Sequence, residues 1–431
     1  MYLCSEVNCL YISNAKLINL WETAVSLFVF LALLVEFSLD GGFSPPKPLG
    51  VFWYEIIYSH LPKNCSSMLN LRPYIRGVEN ICKYLVERSK GHKTAVVCFS
   101  EESKDSVDEV NGHKVYRVAT WLNVNRQALS LSYFPMLRRA IKEFQPDVIH
   151  FHWANPFPAA VLLSMMPKDV KLVIHWHMDI LNQKRIYPLV KPIEKALLKR
   201  ADRVMVTSPN YRDASIPLQP FKEKVDVVSN AFDKEVFIPR DGDERRIKEI
   251  KQRFNNKNMV FFVGRHVSYK GLKYLIEAEK LVKSDCVFVI AGRGPLTNQL
   301  KAICKSNRIH FVGAVSDDEL RAYLYAAKVF AFPSITKNEA FGVALAEAMY
   351  CGVPAVTFNI EGSGVNWVSV NKETGLEAPN KDIVSYARNI DTLLSDSNLH
   401  DRLAEAGRLR AETMFTISKM IDACENSYNK L

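Results

Sequence analysis

The sequence predicts an α/β protein of two doubly wound domains, and three observations carry that prediction. A chain of 431 residues is too long for one ordinary core, and its 48% apolar content is that of a globular protein. From about Val78 onward, short β-branched runs alternate with helical patterns, the signature of parallel sheets covered by helices. A charged stretch at 239–246, reading PRDGDERR, interrupts the alternation at the midpoint and reads as an interdomain connection, after which the pattern restarts.

Taken in order, the first 67 residues form an atypical N-terminal segment that does not join this scheme. Between Glu22 and Glu36 lies an uncharged, weakly apolar stretch at 23–35. It is short for a bilayer span, which needs ~20 residues, and no clean small-residue cleavage site follows it. Residues 51–58 (VFWYEIIY) can supply an opening strand only with a long excursion before the turn at Gly77. The N-terminal domain is expected over 68–238, with strands at 94–99, 114–118, 147–151, 171–175, 203–207 and 225–229. The C-terminal domain is expected over 239–410, with strands at 259–264, 286–292, 308–313, 329–334 and 354–358. Residues 411–431 read as a helix returning to the N-terminal domain. Two such domains place a ligand in the cleft between them.

Composition narrows the partners. A net charge of +10 suits nucleotide diphosphates, lipid phosphates or an acidic membrane surface. The chain has neither the basic-plus-aromatic motifs of RNA modules nor zinc-finger spacing, so nucleic acid is not an expected partner. Nine cysteines, at 4, 9, 65, 82, 98, 286, 304, 351 and 424, include no CxxC pair. Their odd number and scatter argue against a disulfide framework or a zinc site and point to a reducing, cytoplasmic compartment.

The strongest chemical signal is the segment Glu339, Ala340, Phe341, Gly342, Val343, Ala344, Leu345, Ala346, Glu347, two carboxylates eight residues apart where a strand, a loop and an Ala-rich helix meet. A helical rise of 1.5 Å per residue would separate them by ~12 Å. That span reaches from a sugar hydroxyl at one end of a nucleotide sugar to the ribose at the other. The amides of Phe341 to Val343 open the helix and can receive a diphosphate. In isolation such a pair reads as a helix-terminal charge and a solvated surface acid; its context reverses that preference.

A second element, Gly264 to Gly271 (GRHVSYKG), ends one strand and begins a helix. Arg265 and Lys270 supply two cations where phosphates bind parallel sheets, and fixed cations ease departure of a diphosphate without a metal. A solvated Arg and Lys at a strand end are an equally good reading of this motif alone. The turn Gly292, Arg293, Gly294, Pro295 is a third close-approach site, weak by itself. No acidic residue ends the next strand where a dinucleotide ribose needs one, so NAD is discounted.

With these elements in order, the chain resembles the family 4 retaining glycosyltransferases of the GT-B group over roughly Pro73 to Phe415. The resemblance rests on GVEN at 77–80, GRHVSYKG, AGRGPL at 291–296, HFVGAVSDDEL at 310–320, the Glu339 to Glu347 segment and CGVP at 351–354. It implies that Arg265 and Lys270 grip the donor diphosphate. Glu339 would meet the donor sugar hydroxyls and Glu347 the ribose. Gly77, Gly292, Gly294, Val315, Ala340, Phe341, Gly342 and Val343 would complete the donor site, with Val315 in the turn at the base-binding edge.

His175, Trp176, His177, Met178 and Asp179 resemble the family's histidine motif, and the role over the donor sugar is carried to His177 alone; His150 and His152 read as structural. HWHMDILNQK with TSPNY at 207–211 looks most like the mannosyltransferase branch acting on bacterial surface polysaccharides, which favours GDP-mannose. Two positions depart from the family pattern: Arg76 and Ala231 stand where glycine is usual. The resemblance implies hexose transfer to a poly- or oligosaccharide or lipid-linked acceptor, with no metal and no cofactor. The Asp241 to Asp243 pair, the one DxD in a suitable polar setting, lies in the interdomain stretch and is rejected as a metal site. The alternatives are an epimerase of the same fold and a catalytically impaired nucleotide-sugar-binding paralogue. Lys191, Lys195 and Lys199 recur every four residues, with Val190, Ile193 and Leu197 on another face, as in a basic amphipathic helix; such a pattern is more often a solvated face, and the functional alternative is docking on the inner face of the cytoplasmic membrane.

Overall fold

The computed structural model describes residues 54–60, 78–89, 91–100, 102–124, 127–180 and 187–431. The stretch at 23–35, Arg76 and Gly77 lie outside the described residues. In chain order the strands are β1 (Tyr54–His60), β2 (His92–Ser100), β3 (Ser106–Val110), β4 (His113–Ala119), β5 (Leu122–Val124), β6 (Gln127–Leu129), β7 (Val148–Trp153), β8 (Lys171–Trp176), β9 (Arg203–Val206), β10 (Val225–Val227), β11 (Asn258–Val263), β12 (Cys286–Ala291), β13 (Ile309–Gly313), β14 (Val329–Phe332), β15 (Ala355–Phe358) and β16 (Gly375–Ala378). An eight-stranded sheet runs β10-β9-β8-β7-β1-β2-β4-β3, a six-stranded sheet runs β13-β12-β11-β14-β15-β16, and β5 and β6 form a small ribbon.

The sheet of the C-terminal half is parallel throughout, β11 pairing with β12 and β14, β12 with β13, and β15 with β14 and β16. Its strand order reverses at β11, so the loops after β11 and β14 leave the sheet in opposite directions and open a crevice at the strand ends. Continuous apolar runs such as Met259, Val260, Phe261 and Phe262 build it because both faces of a parallel sheet are covered, and all four are nearly inaccessible.

In the other sheet, β1 does lie among the strands expected from the sequence, but antiparallel to both β2 and β7. The segment 54–60, within the stretch that the sequence offers as an opening strand, is therefore part of a sheet, although it is not the parallel opening strand of a doubly wound domain. The antiparallel edge strand β3, the ribbon and β16 have short, polar or glycine-containing sequences with little β signature, and the sequence pattern missed them.

Contacts divide the chain into two compact units. One comprises the described parts of Met1–Ser66 with Gly91–Val173 and Asn182–Ala201; the other comprises the described parts of Ser67–Lys90 with Ile174–Leu181 and Asp202–Leu431. Within the second unit, the C-terminal helix Ile417–Tyr428 packs on β9 and on the helix Val78–Arg88. Cys424 Sγ lies 3.8 Å from Met205 Sδ, and Ser427 donates to Asp226 at 2.7 Å.

The charged stretch at 239–246 carries local structure and a buried carboxylate. Its second half starts the helix Asp243–Arg253, capped by Gly242 at φ +86°. Asp243 is buried and takes Arg321 Nε at 2.7 Å and Nη2 at 3.0 Å, while Arg321 Nη1 donates to Val236 O at 2.9 Å. The Asp-x-Asp at 241–243 is thus committed to an internal guanidinium. The described cysteines 82, 98, 286, 304, 351 and 424 are all thiols. No helix among the described residues is long and apolar enough to cross a membrane.

Candidate active site

The glycine turns that follow β11 and β12 are stitched to one another by backbone. Gly264 N donates to Ala291 O, His266 N to Arg293 O, Leu296 N to His266 O and Gly292 N to Gly313 O. Glycine is required at two of these places. Gly292 has φ +108°, and a Cβ there would stand 2.0 Å from Gly264 O; a Cβ on Gly294 would stand 2.5 Å from His266 O. The two motifs read separately from the sequence are therefore one backbone platform, and the Gly313 to Val315 turn joins it.

On that platform Arg265 is exposed, and His266 is buried with Nδ1 2.9 Å from Thr297 Oγ1. Burial lowers the His266 pKa, with the Lys301 charge acting in the same direction, so its ring is neutral. The short turn Ser268–Lys270 ends at Gly271, φ +64°, where a Cβ would meet Pro333 O at 2.0 Å. This contact brings Lys270 against the loop after β14.

There Lys270 Nζ forms an ion pair with Glu339 Oε2, and its ammonium lies 4.9 Å above the Phe332 ring. Ser334 Oγ, fully buried, donates to the same carboxylate oxygen at 3.0 Å. Both partners of the ion pair are about one-tenth exposed. Burial pulls the Lys270 pKa down, but the Glu339 charge outweighs it with help from Tyr269, so the net shift is upward and the ammonium persists. The structure thus joins Lys270 and Glu339 directly. Ser334 was missed as a site residue because it reads as the end of an apolar strand.

Beyond Glu339, Ala340 and Phe341 are buried and Gly342 takes φ +89°, its carbonyl accepting from Leu345 and Ala346. Only Val343–Tyr350 is helical. The ~12 Å separation expected from continuous helical rise does not apply, because four of the eight steps from Glu339 to Glu347 lie in a loop. Glu347 itself is buried on this helix, which removes the reading of a solvated surface acid.

The histidine motif lies at the end of β8. His175 is fully buried and stacks on His177 with ring centroids 4.5 Å apart. Burial drives the His175 pKa to about 3, so it is neutral, as a packed core histidine is. His177 is also buried. His150 and His152 are buried and stacked at 4.8 Å. Ala231, where the family pattern has glycine, is buried as well.

Two family descriptions match this chain. Residues 75–236 match "Glycosyltransferase Family 4" and residues 243–410 match "Glycosyl transferases group 1". Among curated proteins, D-rhamnosyltransferase WbpZ of Pseudomonas aeruginosa is 29% identical over 348 residues, covering 79% of this chain and 89% of that protein. O-antigen chain mannosyltransferase C of Escherichia coli is 27% identical over 365 residues, covering 82% and 94%. Among solved structures, Anabaena HepE in complex with UDP and glucose gives a TM-score of 0.62 at 19% identity, over 74% of this chain and 86% of that one. Sucrose-phosphate synthase from Thermosynechococcus elongatus gives 0.61 at 20%, over 77% and 88%. Those likenesses carry the fold, a GT-B arrangement of two Rossmann-like domains.

Proposed function

We infer, from the premise that this chain belongs to the glycosyltransferases whose N-terminal part is of family 4 and whose C-terminal part is of group 1, that it is a retaining, metal-independent hexosyltransferase. The donor we assign is a nucleotide sugar, GDP-mannose first, and the acceptor a growing surface polysaccharide or its lipid-linked precursor. The ion pair of Lys270 with Glu339 carries this reading. It holds a fixed cation and a fixed carboxylate side by side at parallel strand ends, where a diphosphate and the sugar attached to it each need one of them. The preference for mannose rests on the similarity to the E. coli O-antigen chain mannosyltransferase and on the HWHMDILNQK segment.

Chemically, the bond from the anomeric carbon to the diphosphate oxygen breaks, and a bond to the acceptor oxygen forms on the same face. The acceptor proton passes to the departing oxygen, so no protein base is required. Arg265 and Lys270 offset the charge that builds on the leaving group, Glu339 orients sugar hydroxyls beside the developing positive carbon, and His177 lies over the donor sugar. Gly292, Gly294 and Val315 admit the nucleotide, and Glu347 takes the ribose. The test is a panel of nucleotide sugars incubated with protein and acceptor in EDTA, followed by nucleoside diphosphate release. Release that is fastest with GDP-mannose and unchanged by EDTA is expected; activity lost on chelation and restored by manganese contradicts it.

Peripheral contact with an anionic membrane belongs to the same proposal. In the helix Tyr187–Arg200, Lys191, Lys195 and Lys199 are exposed while Val190, Ile193 and Leu197 are buried. Each basic residue near an anionic surface contributes about 1 kcal/mol, so changing all three to Glu is expected to weaken binding to phosphatidylglycerol vesicles by roughly 100-fold or more. Unchanged vesicle binding removes this helix as the docking face.

A further inference from the structure

Two residues before Glu339, Lys337 reaches a carboxylate far away in the chain. Its Nζ donates to Asp179 Oδ2 at 2.8 Å and to Ala214 O at 3.2 Å, and lies 6.0 Å above the Tyr211 ring. Asp179 is 3% exposed. Its other oxygen, Oδ1, accepts from Trp176 Nε1 at 3.0 Å and Ser215 Oγ at 2.6 Å, and its backbone amide meets Tyr211 Oη at 2.6 Å. Burying a carboxylate is costly unless it is paired and hydrogen-bonded, and here three side chains from three separate segments share that task.

The position of this pair is informative. Asp179 lies two residues after His177, and Lys337 two residues before Glu339. We propose that the Asp179–Lys337 ion pair is a positioning strut. It holds the segment bearing His177 and the segment bearing Glu339 in one register, so that the two groups assigned to the donor sugar act on it together. The proposal rests on the transferase reading given above for what His177 and Glu339 do, but the strut itself stands on its own contacts. Lys337 is a positioning residue: its charge is spent on Asp179, in contrast to Lys270, whose partner Glu339 is itself assigned to the donor.

The strut has neighbours that do not depend on it. The segment 207–211, whose Tyr211 Oη receives the Asp179 amide, also reaches the Glu339 loop: Thr207 Oγ1 donates to Ala340 O at 2.9 Å, and Asn210 Nδ2 donates to Ser363 O at 3.4 Å. Removing the Lys337 charge is therefore expected to leave a folded protein whose two segments are less firmly registered. A misplacement of ~1 Å at reacting groups costs about 100-fold in rate, while contacts that are the same in ground and transition state lose far less.

The test uses the full-length protein and Lys337→Met, Lys337→Arg, Asp179→Asn and the double variant Asp179→Asn/Lys337→Met. Lys337→Met is expected to lower kcat roughly 10- to 100-fold, with donor KM and nucleoside diphosphate affinity within about two-fold of wild type. Lys337→Arg is expected to recover most of the rate. The double variant should be no slower than the worse single variant, because both changes remove the same interaction. Independently of any donor, amide hydrogen exchange in Lys337→Met is expected to rise at both 176–180 and 335–341. A kcat within about two-fold of wild type in Lys337→Met, or exchange that rises on only one side of the pair, overturns the strut. If the wild-type protein releases diphosphate from no nucleotide sugar, the transferase reading falls, and the exchange experiment still decides the strut.

Discussion

Glu339→Ala is expected to lower kcat by roughly 30- to 1000-fold, because one charge-assisted contact made mainly in the transition state is worth ~2 to 4 kcal/mol. The carboxylate is placed for this by Lys270 and by the buried Ser334 hydroxyl, and its backbone amide donates to Thr336 O at 3.0 Å. As the sugar parts from the diphosphate, the anomeric carbon gains positive charge, and an oriented carboxylate stabilises that state more than the ground state. Glu347 is expected to fail differently. Ribose contacts are the same in ground and transition states, so Glu347→Ala should mainly raise donor KM. Steady-state kinetics on the two variants check this; two variants with the same kcat and KM as wild type mean that the carboxylates are only part of the local packing.

Arg321→Met is expected to destabilise the protein by about 3 to 5 kcal/mol, since it takes both guanidinium hydrogen bonds from the buried Asp243 carboxylate and leaves it only the partly exposed Arg246 Nη1 at 3.6 Å as counter-charge. The pair joins the helix Asp243–Arg253 to the helix Asp317–Ala326, and Arg321 also satisfies Val236 O. Its hydrogen bonds with Arg321 hold the Asp243 carboxyl below the usual aspartate range, despite burial acting the other way. A depressed native pKa stabilises the fold fully above the unfolded value of about 3.9, and that contribution is lost as pH falls through the native value. Thermal unfolding should therefore show the largest difference between wild type and variant at neutral pH and a smaller one in acid. An equal difference at all pH values, or none, contradicts it. Arg321→Met combined with Asp243→Leu should recover part of the loss, because no charge is then left buried.

The parallel sheet of the second half was legible in the sequence, because a strand buried on both faces is written as an uninterrupted apolar run, as in residues 259–263 and 286–291. The partnership of the glycine turns was not, since Gly292 and Gly264 come together only through backbone hydrogen bonds that leave no sequence spacing. Charge was less telling in one place: 239–246 reads as an interdomain connection, and only the fold shows that Asp243 faces Arg321, 78 residues on. Charge informed in another, because Lys270 and Glu339 were both singled out from strand-end motifs, although nothing in the sequence says that they touch. Asp179 was read only as the tail of a histidine motif, and Lys337 was not singled out, since the side chains that surround them come from distant segments.

The claim that Lys270, Glu339 and Glu347 belong to one donor site, with the diphosphate and the ribose held apart from the sugar, is tested most directly by calorimetric titration of GDP into wild type, Glu339→Ala and Glu347→Ala. GDP lacks the sugar, so Glu339→Ala, which also releases Lys270 from its ion pair, should bind it at least as tightly as wild type. Glu347→Ala loses a hydrogen bond from a charged group and should bind it roughly 10- to 100-fold more weakly. Equal GDP affinity in all three proteins would contradict the assignment.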